Sequence, residues 1–399
     1  MNNDARIAIF GSPVDARAVE QLENVARDER VIAAALMADH HVGYSMPIGG
    51  VAVYDNAISP SGVGFDIACG NKAALTDLRV EDLGETKPIL REIQRRVAFG
   101  LGRTNRDRVD APLFADPVWP ELERLSPGLK QKARDQLGTV GSGNHYVDVL
   151  ADESGRVWVA NHFGSRGLGH TIASGFLSLA AGRRFTERVP ESEDPTVFDL
   201  DTGTGALYLE AMRVAGEYAY AGRDYVIDQV LGVLGARALE TVHNHHNYAW
   251  VEDGKVVVRK GATPLTRDAA FIGGSMGDAS VIVRGTGDDI GNLASAPHGA
   301  GRVMSRTKAA GKFVKVRGPD GRRRRVRDKS TAAVDWDAAR AELAARGIVV
   351  LGAGADEAPE VYKSLREVLS HHPNIEIVET LLPLGVIMAG DDEFDPYKD

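Results

Sequence analysis

Nine of the eleven histidines fall in five of six short polar clusters, most of them glycine-flanked, scattered from residue 39 to residue 302. No other feature constrains the fold as tightly. Titratable side chains in glycine-rich turns collect where backbone must approach a ligand closely or take a positive φ. A site built from all six clusters draws on most of the chain, so the chain cannot be cut into independent halves. No Pro/Ser-rich linker divides it, and it shows neither an internal repeat nor a regular βαβ rhythm. Rossmann-like and TIM architectures are therefore not expected. A single α+β domain is.

Local signals fit that class. Residues 14–37 read as a helix through Val19, Leu22, Val25 and Ala26 at helical spacing, followed by a short apolar run. Further helices are expected over 77–98, over 205–239 with a break near Gly222, and over 336–346. Apolar runs at 51–54, 256–258, 279–283 and 348–351 read as strands. The domain is expected to occupy residues 1–390, with an Arg-rich loop at about 316–330 and a frayed acidic tail at 391–399.

Cys69 is the only cysteine, which excludes an intramolecular disulfide and fits a reducing, cytoplasmic setting. The first residues lack a secretory pattern, and no apolar run is long enough to span a membrane. A net charge of −9 argues against a protein that coats nucleic acid indiscriminately. It leaves room for a local basic groove, and Arg322-Arg323-Arg324-Arg325-Val326-Arg327 is one candidate. The turn residues Gly318-Pro319-Asp320-Gly321 before it mark a solvated hairpin tip, suited to attracting substrate rather than to chemistry.

The clusters carry the donors of a metal site. Thiolate, imidazole and carboxylate are first-choice ligands. Asp66, Cys69, His145, His162 and one histidine among 243–246 would hold two ions, with the sulfur able to bridge. Ligand softness alone favours zinc. An anion site is also present in outline: Gly273-Gly274-Ser275-Met276-Gly277 offers a nest of backbone N–H groups, and Arg166, Lys260 and Arg302 add charge-assisted contacts. His298, set among glycines, could act as ligand, base or nucleophile.

In order along the chain these segments are Gly-Val-Gly-Phe-Asp66-Ile-Ala-Cys69-Gly, Gly-Asn144-His145, His162-Phe-Gly-Ser-Arg166-Gly, His245-His246-Asn-Tyr, Gly274-Ser-Met-Gly-Asp-Ala-Ser280, His298-Gly-Ala-Gly-Arg302-Val-Met-Ser-Arg and Glu357-Ala-Pro-Glu-Val-Tyr-Lys. From Asp39 to Ile387 the chain resembles the RtcB family of RNA-splicing ligases. The resemblance implies an α+β domain of mixed β-sheets flanked by helices. It implies two manganese ions, overriding the zinc expectation, on Asp66, Cys69 (bridging), His145, His162 and His246. His298 matches the histidine that becomes guanylylated by GTP. Nucleotide contacts are implied for Asn144, Asp148, Gly274, Ser275, Met276, Ser280, His298, Gly299, Ala300, Gly301 and Met388. Arg166, Lys260 and Arg302 match residues that bind phosphate or RNA. The substrates implied are RNA 3′-phosphate or 2′,3′-cyclic phosphate ends and 5′-hydroxyl ends.

The chain departs from the family pattern in four places. Ala68 stands where Asn is usual, Asp148 where Glu is usual, and Met388 where a lysine reaches the guanine base; the Arg-rich insertion has no family counterpart. These point to a divergent paralogue serving RNA repair or tRNA splicing. Two other functions compete: a metal-dependent phosphoesterase without nucleotide use, and an RNA-binding or ribosome-associated module. The intact His298 motif opposes the first and the complete ligand set the second.

Overall fold

The computed structural model describes residues 6–390 apart from 107, 191 and 318–321. The expected acidic tail and the tip of the Arg-rich loop lie outside the described residues.

Asp15 starts the first helix, accepting hydrogen bonds from the Arg17 and Ala18 amides at 2.9 and 3.3 Å. That helix ends at Ala26, and Val31–His41 is a strand, which corrects the helix expected over 14–37. Alanine-rich sequence favours helix locally. Here Ala34 through His40 are all buried, and a central strand covered on both faces can satisfy that segment's backbone. The strand pairs in parallel with Arg6–Ile9 and antiparallel with Ile48–Tyr54. The sheet continues through Lys255–Lys260 to Asn247–Glu252, giving five strands.

A second sheet of eight strands carries the site. Its order runs Ala270–Ile272, Ser280–Gly285, Ile375–Gly390, Tyr146–Asp152, Arg156–His162, Gly70–Arg79 and Ala238–His245. Val349–Ala353 joins alongside Ile375–Gly390 in parallel. The remaining pairings are antiparallel. Helix Gly203–Leu234 lies against this sheet, burying Val226, Ile227 and Val230 against Ala74, Val147, Val149 and Val159. The α+β class with mixed sheets and flanking helices is thus as expected, with neither Rossmann nor TIM topology. Among the described residues no helix is long and apolar enough to cross a membrane.

Two further corrections concern helices. The segment 77–98 begins as the end of a strand and becomes helical only over Thr86–Arg96. The long helix does not break at Gly222. An added Cβ there would meet the Phe163 ring at 3.3 Å, so this glycine lets the helix approach its neighbour closely. The helix stops instead at Gly235, which takes the left-handed conformation at φ 65°, and Ala238 already belongs to a strand.

Register decides where the polar clusters meet. Gly70 pairs with His245, Asn71 with His162, and Tyr146 with both His162 and Met388. The turn before Gly70, His145, His162, His246 and Met388 therefore all arrive at one end of the large sheet.

Candidate active site

At that sheet end Cys69, His145 and His162 each bring a ligand atom within 4.8 Å of the others. Cys69 Sγ stands 3.1 Å from His162 Nε2 and 3.6 Å from His145 Nε2. Asp66 Oδ2 lies 2.9 Å from His145 Nε2. Glycines make these approaches feasible: a Cβ on Gly164 would meet Asp66 Oδ1 at 2.2 Å, and one on Gly70 would meet the Asn244 carbonyl at 2.1 Å. Ala68 sits at φ 59°, a region Asn tolerates better than Ala, so this departure from the family pattern strains the turn.

Buried Arg223 sorts the three clustered histidines. Its Nε donates to His243 Nε2 at 2.9 Å, and its Nη2 lies 2.8 Å from His245 Nδ1. Nη1 holds the Ala68 and Phe163 carbonyls behind the cysteine turn. Burial pulls the guanidinium pKa down to about 10, which still leaves it charged at neutral pH. His246 escapes this arginine. It faces His162 at 5.0 Å and His298 at 4.8 Å between ring centres, and its buried Nδ1 has no partner. Burial pushes the His162 and His246 pKa values well below the usual range, so both rings are neutral, the form that ligates metal. Burial likewise pushes the Cys69 thiol well up, with Asp66 adding to the effect. Cys69, His145 and His162 are grouped closely enough that the donor set fits a metal ion.

His298 is held by a residue that carried no assigned role in the sequence. Asp39, with no solvent exposure, accepts from His298 Nδ1 at 2.7 Å and from the amides of His298 and Gly299 at 3.0 and 3.4 Å. The carboxylate engages the ring through Nδ1, so Nε2 is the ring nitrogen left clear of this contact. Burial opposes ionisation of Asp39, but its interaction with His298 outweighs it and lowers the pKa. The signal for Asp39 was present, since it opens the first histidine cluster.

Beside His298 opens a cleft. Ten of the eleven residues expected at the nucleotide line it: Asn144, Asp148, Gly274, Ser275, Met276, His298, Gly299, Ala300, Gly301 and Met388. The eleventh, Ser280, supports the wall by accepting from the Gly274 amide at 3.0 Å. Tyr146 and Glu357 also line the cleft and were not foreseen. Tyr146 Oη and Asp148 Oδ1 are buried there without partners. Burial pushes the Asp148 carboxyl well above the carboxylate range. Such atoms call for a ligand with its own polar edge.

The family model described as tRNA-splicing ligase RtcB matches residues 21–120 and 115–389. This chain belongs to the RtcB family. It is 37% identical over 332 residues to the RNA-splicing ligase RtcB of Escherichia coli K12, covering 75% of this chain and 81% of that protein. It is 32% identical to the tRNA-splicing ligase RtcB of Thermococcus kodakarensis over 93% of this chain and 90% of that one. The RNA-splicing ligase RtcB of Mycobacterium bovis is 31% identical over 92% of this chain and 99% of its own length.

Within this RtcB-family chain the three expected phosphate-binding cations occupy different settings. Arg302 lines the cleft, fastened to the Asp356 carbonyl at 2.8 Å and Tyr362 Oη at 3.1 Å. Arg166 lies 3.2 Å from His145 Nδ1 and fills the space a side chain at Gly141 would need. Lys260 stands apart from the cleft lining, beside the Gly64 turn and 3.5 Å from the Ser61 carbonyl.

Proposed function

We propose that this chain is a GTP- and manganese-dependent RNA ligase joining 3′-phosphate or 2′,3′-cyclic phosphate ends to 5′-hydroxyl ends in the cytoplasm. The observation that carries the reading is His298, with Nδ1 bound to Asp39 and Nε2 available, between the donor cluster and the cleft. His298 Nε2 attacks the α-phosphorus of GTP, forming an N–P bond as pyrophosphate leaves. The GMP passes to an RNA 3′-phosphate. A 5′-hydroxyl then attacks that phosphorus, closing the phosphodiester and releasing GMP. Asp66, Cys69, His145, His162 and His246 would hold two manganese ions, which would supply charge neutralisation at the phosphoryl oxygens. Asn144, Ser275, Gly299 and Gly301 would hold the nucleotide, Arg166, Lys260 and Arg302 the phosphates and the RNA end. Asp148 would accept from the base edge. Residues 1–390 form the ligase unit of this proposal, in RNA repair or tRNA splicing.

Incubation with α-labelled GTP and manganese tests it. A covalent, acid-labile GMP adduct is expected. Hydrolysis of RNA phosphates without any adduct would instead leave the phosphoesterase reading.

A further inference from the structure

Lys312–Arg317 and Arg323–Asp328 form an antiparallel two-stranded ribbon, the described part of the Arg-rich loop. Its register pairs Phe313 with Arg327, Lys315 with Arg325, and Arg317 with Arg323. Alternate residues of a strand share a face, so these three pairs stand on one side. Arg327 lies over the Phe313 ring at 4.4 Å, as that arrangement requires. Val314 and Val326, paired with each other, lie on the opposite side with Val316. One face is therefore cationic, in a chain whose net charge is −9.

Like charges directly opposite across a ribbon are destabilising. Two such pairs in succession favour a polyanion that can sit between them. Same-face residues recur about every 6.8 Å along a strand, close to the phosphate repeat of an extended polynucleotide strand. The ribbon is also rooted at the cleft. Arg327 reaches the Gly311 carbonyl at 3.1 Å and Asp356 Oδ2 at 3.6 Å. The Asp356 carbonyl in turn holds Arg302 beside His298.

We propose that the Lys315, Arg317, Arg323 and Arg325 face binds the phosphodiester backbone of an RNA strand whose end enters the cleft. The identity of the polyanion rests on the ligase reading; the binding surface does not.

The test measures binding of a fluorescent single-stranded RNA bearing a 3′-phosphate across a salt series. The full-length protein is compared with its Lys315→Gln/Arg317→Gln/Arg323→Gln/Arg325→Gln variant. At about 0.7 per phosphate contact on a single strand, the slope of log K against log salt should become shallower by nearly 3. Affinity at low salt should fall at least about tenfold. An Arg→Lys version at 317, 323 and 325 should keep the slope, and melting curves should show all three proteins folded. An unchanged slope in the Gln variant overturns the inference, as does ribbon-dependent binding to phosphatidylserine vesicles but not to RNA. GMP-adduct formation by the wild type is scored separately. Its absence together with a reduced slope would remove the ligase reading and leave the RNA-binding ribbon standing.

Discussion

His298 donates its Nδ1–H to a carboxylate with no solvent exposure, and that bond narrows the three roles its sequence context left open. A ring anchored through Nδ1 and lining a cleft is suited to attack phosphorus with Nε2. His298→Ala is expected to abolish the GMP adduct while metal content, measured by elemental analysis, stays near wild type. An adduct persisting in this variant would remove the assignment. Met388 poses the other residue-scale question. It is 5% exposed, packs with Tyr146, Met276 and Val386, and lines the cleft where the family resemblance implies a lysine. A thioether is a weak acceptor and offers no donor to guanine O6. Losing a charge-assisted hydrogen bond costs about 1.5–3 kcal/mol, roughly one to two decades in affinity. Lys363 is already engaged, donating to the Ala38 and His40 carbonyls at 3.0 Å. Weak GTP selectivity over ATP is therefore expected, with Met388→Lys restoring it by about tenfold or more. Competition of ATP against labelled GTP checks this; strict selectivity in the wild type would show the reading to be wrong.

The hairpin of Tyr146–Asp152 and Arg156–His162 delivers two of the proposed metal ligands at its open end, and its closed end sets their register. A slip of one residue would turn His162 away from Cys69. Asp152 pins the turn. It accepts from the Ser154 and Arg156 amides at 2.9 and 3.0 Å, from Arg156 Nε at 2.7 Å and from Trp158 Nε1 at 3.2 Å. Burial opposes its charge, but these bonds prevail and hold its pKa at about 2. A depressed folded-state pKa contributes stability that is complete above the unfolded value near 3.8 and is lost as pH falls through about 2. Asp152→Asn should be less stable than wild type at neutral pH, and the gap should shrink as pH drops from about 4 toward 2. Thermal melts of both proteins across that range test it; a gap independent of pH would contradict it. Sequence periodicity missed this hairpin because both strands are buried except at Arg156, which removes the polar alternation that marks a half-buried strand.

Across the whole molecule, the proposed ligand set draws on segments nearly two hundred residues apart in the chain: the 66–69 turn, both arms of the hairpin and the junction at His246, which links the two sheets. Any ion bound there binds only the folded state, so it should raise the melting temperature. At a free concentration a hundredfold above Kd the gain is about 2.7 kcal/mol. Manganese should therefore stabilise the wild type in calorimetry and a chelator should reverse it. Cys69→Ser should lose most of this response, because a neutral hydroxyl is a far poorer ligand than a thiolate. Equal stabilisation of the variant would return Cys69 to a packing role.

The chemistry of the site was legible in the chain because glycine-flanked ligand residues leave a local mark. Asp66, Cys69, His145 and His298 sit outside regular strands and helices, and His162 ends a strand just before Gly164, in segments whose glycines follow from close backbone approach. What local sequence could not decide depended on long-range pairing. Val31–His41 became a strand because burial on both faces outweighed the helical preference of its alanines. His246 was separated from His243 and His245 by Arg223, a helix residue without local signal that bonds both of those histidines on one strand. Asp39 acquired its role only when the fold brought it 2.7 Å from a histidine 259 positions away. Composition and spacing marked the polar clusters; the sheet register, set by tertiary burial, chose which of them meet.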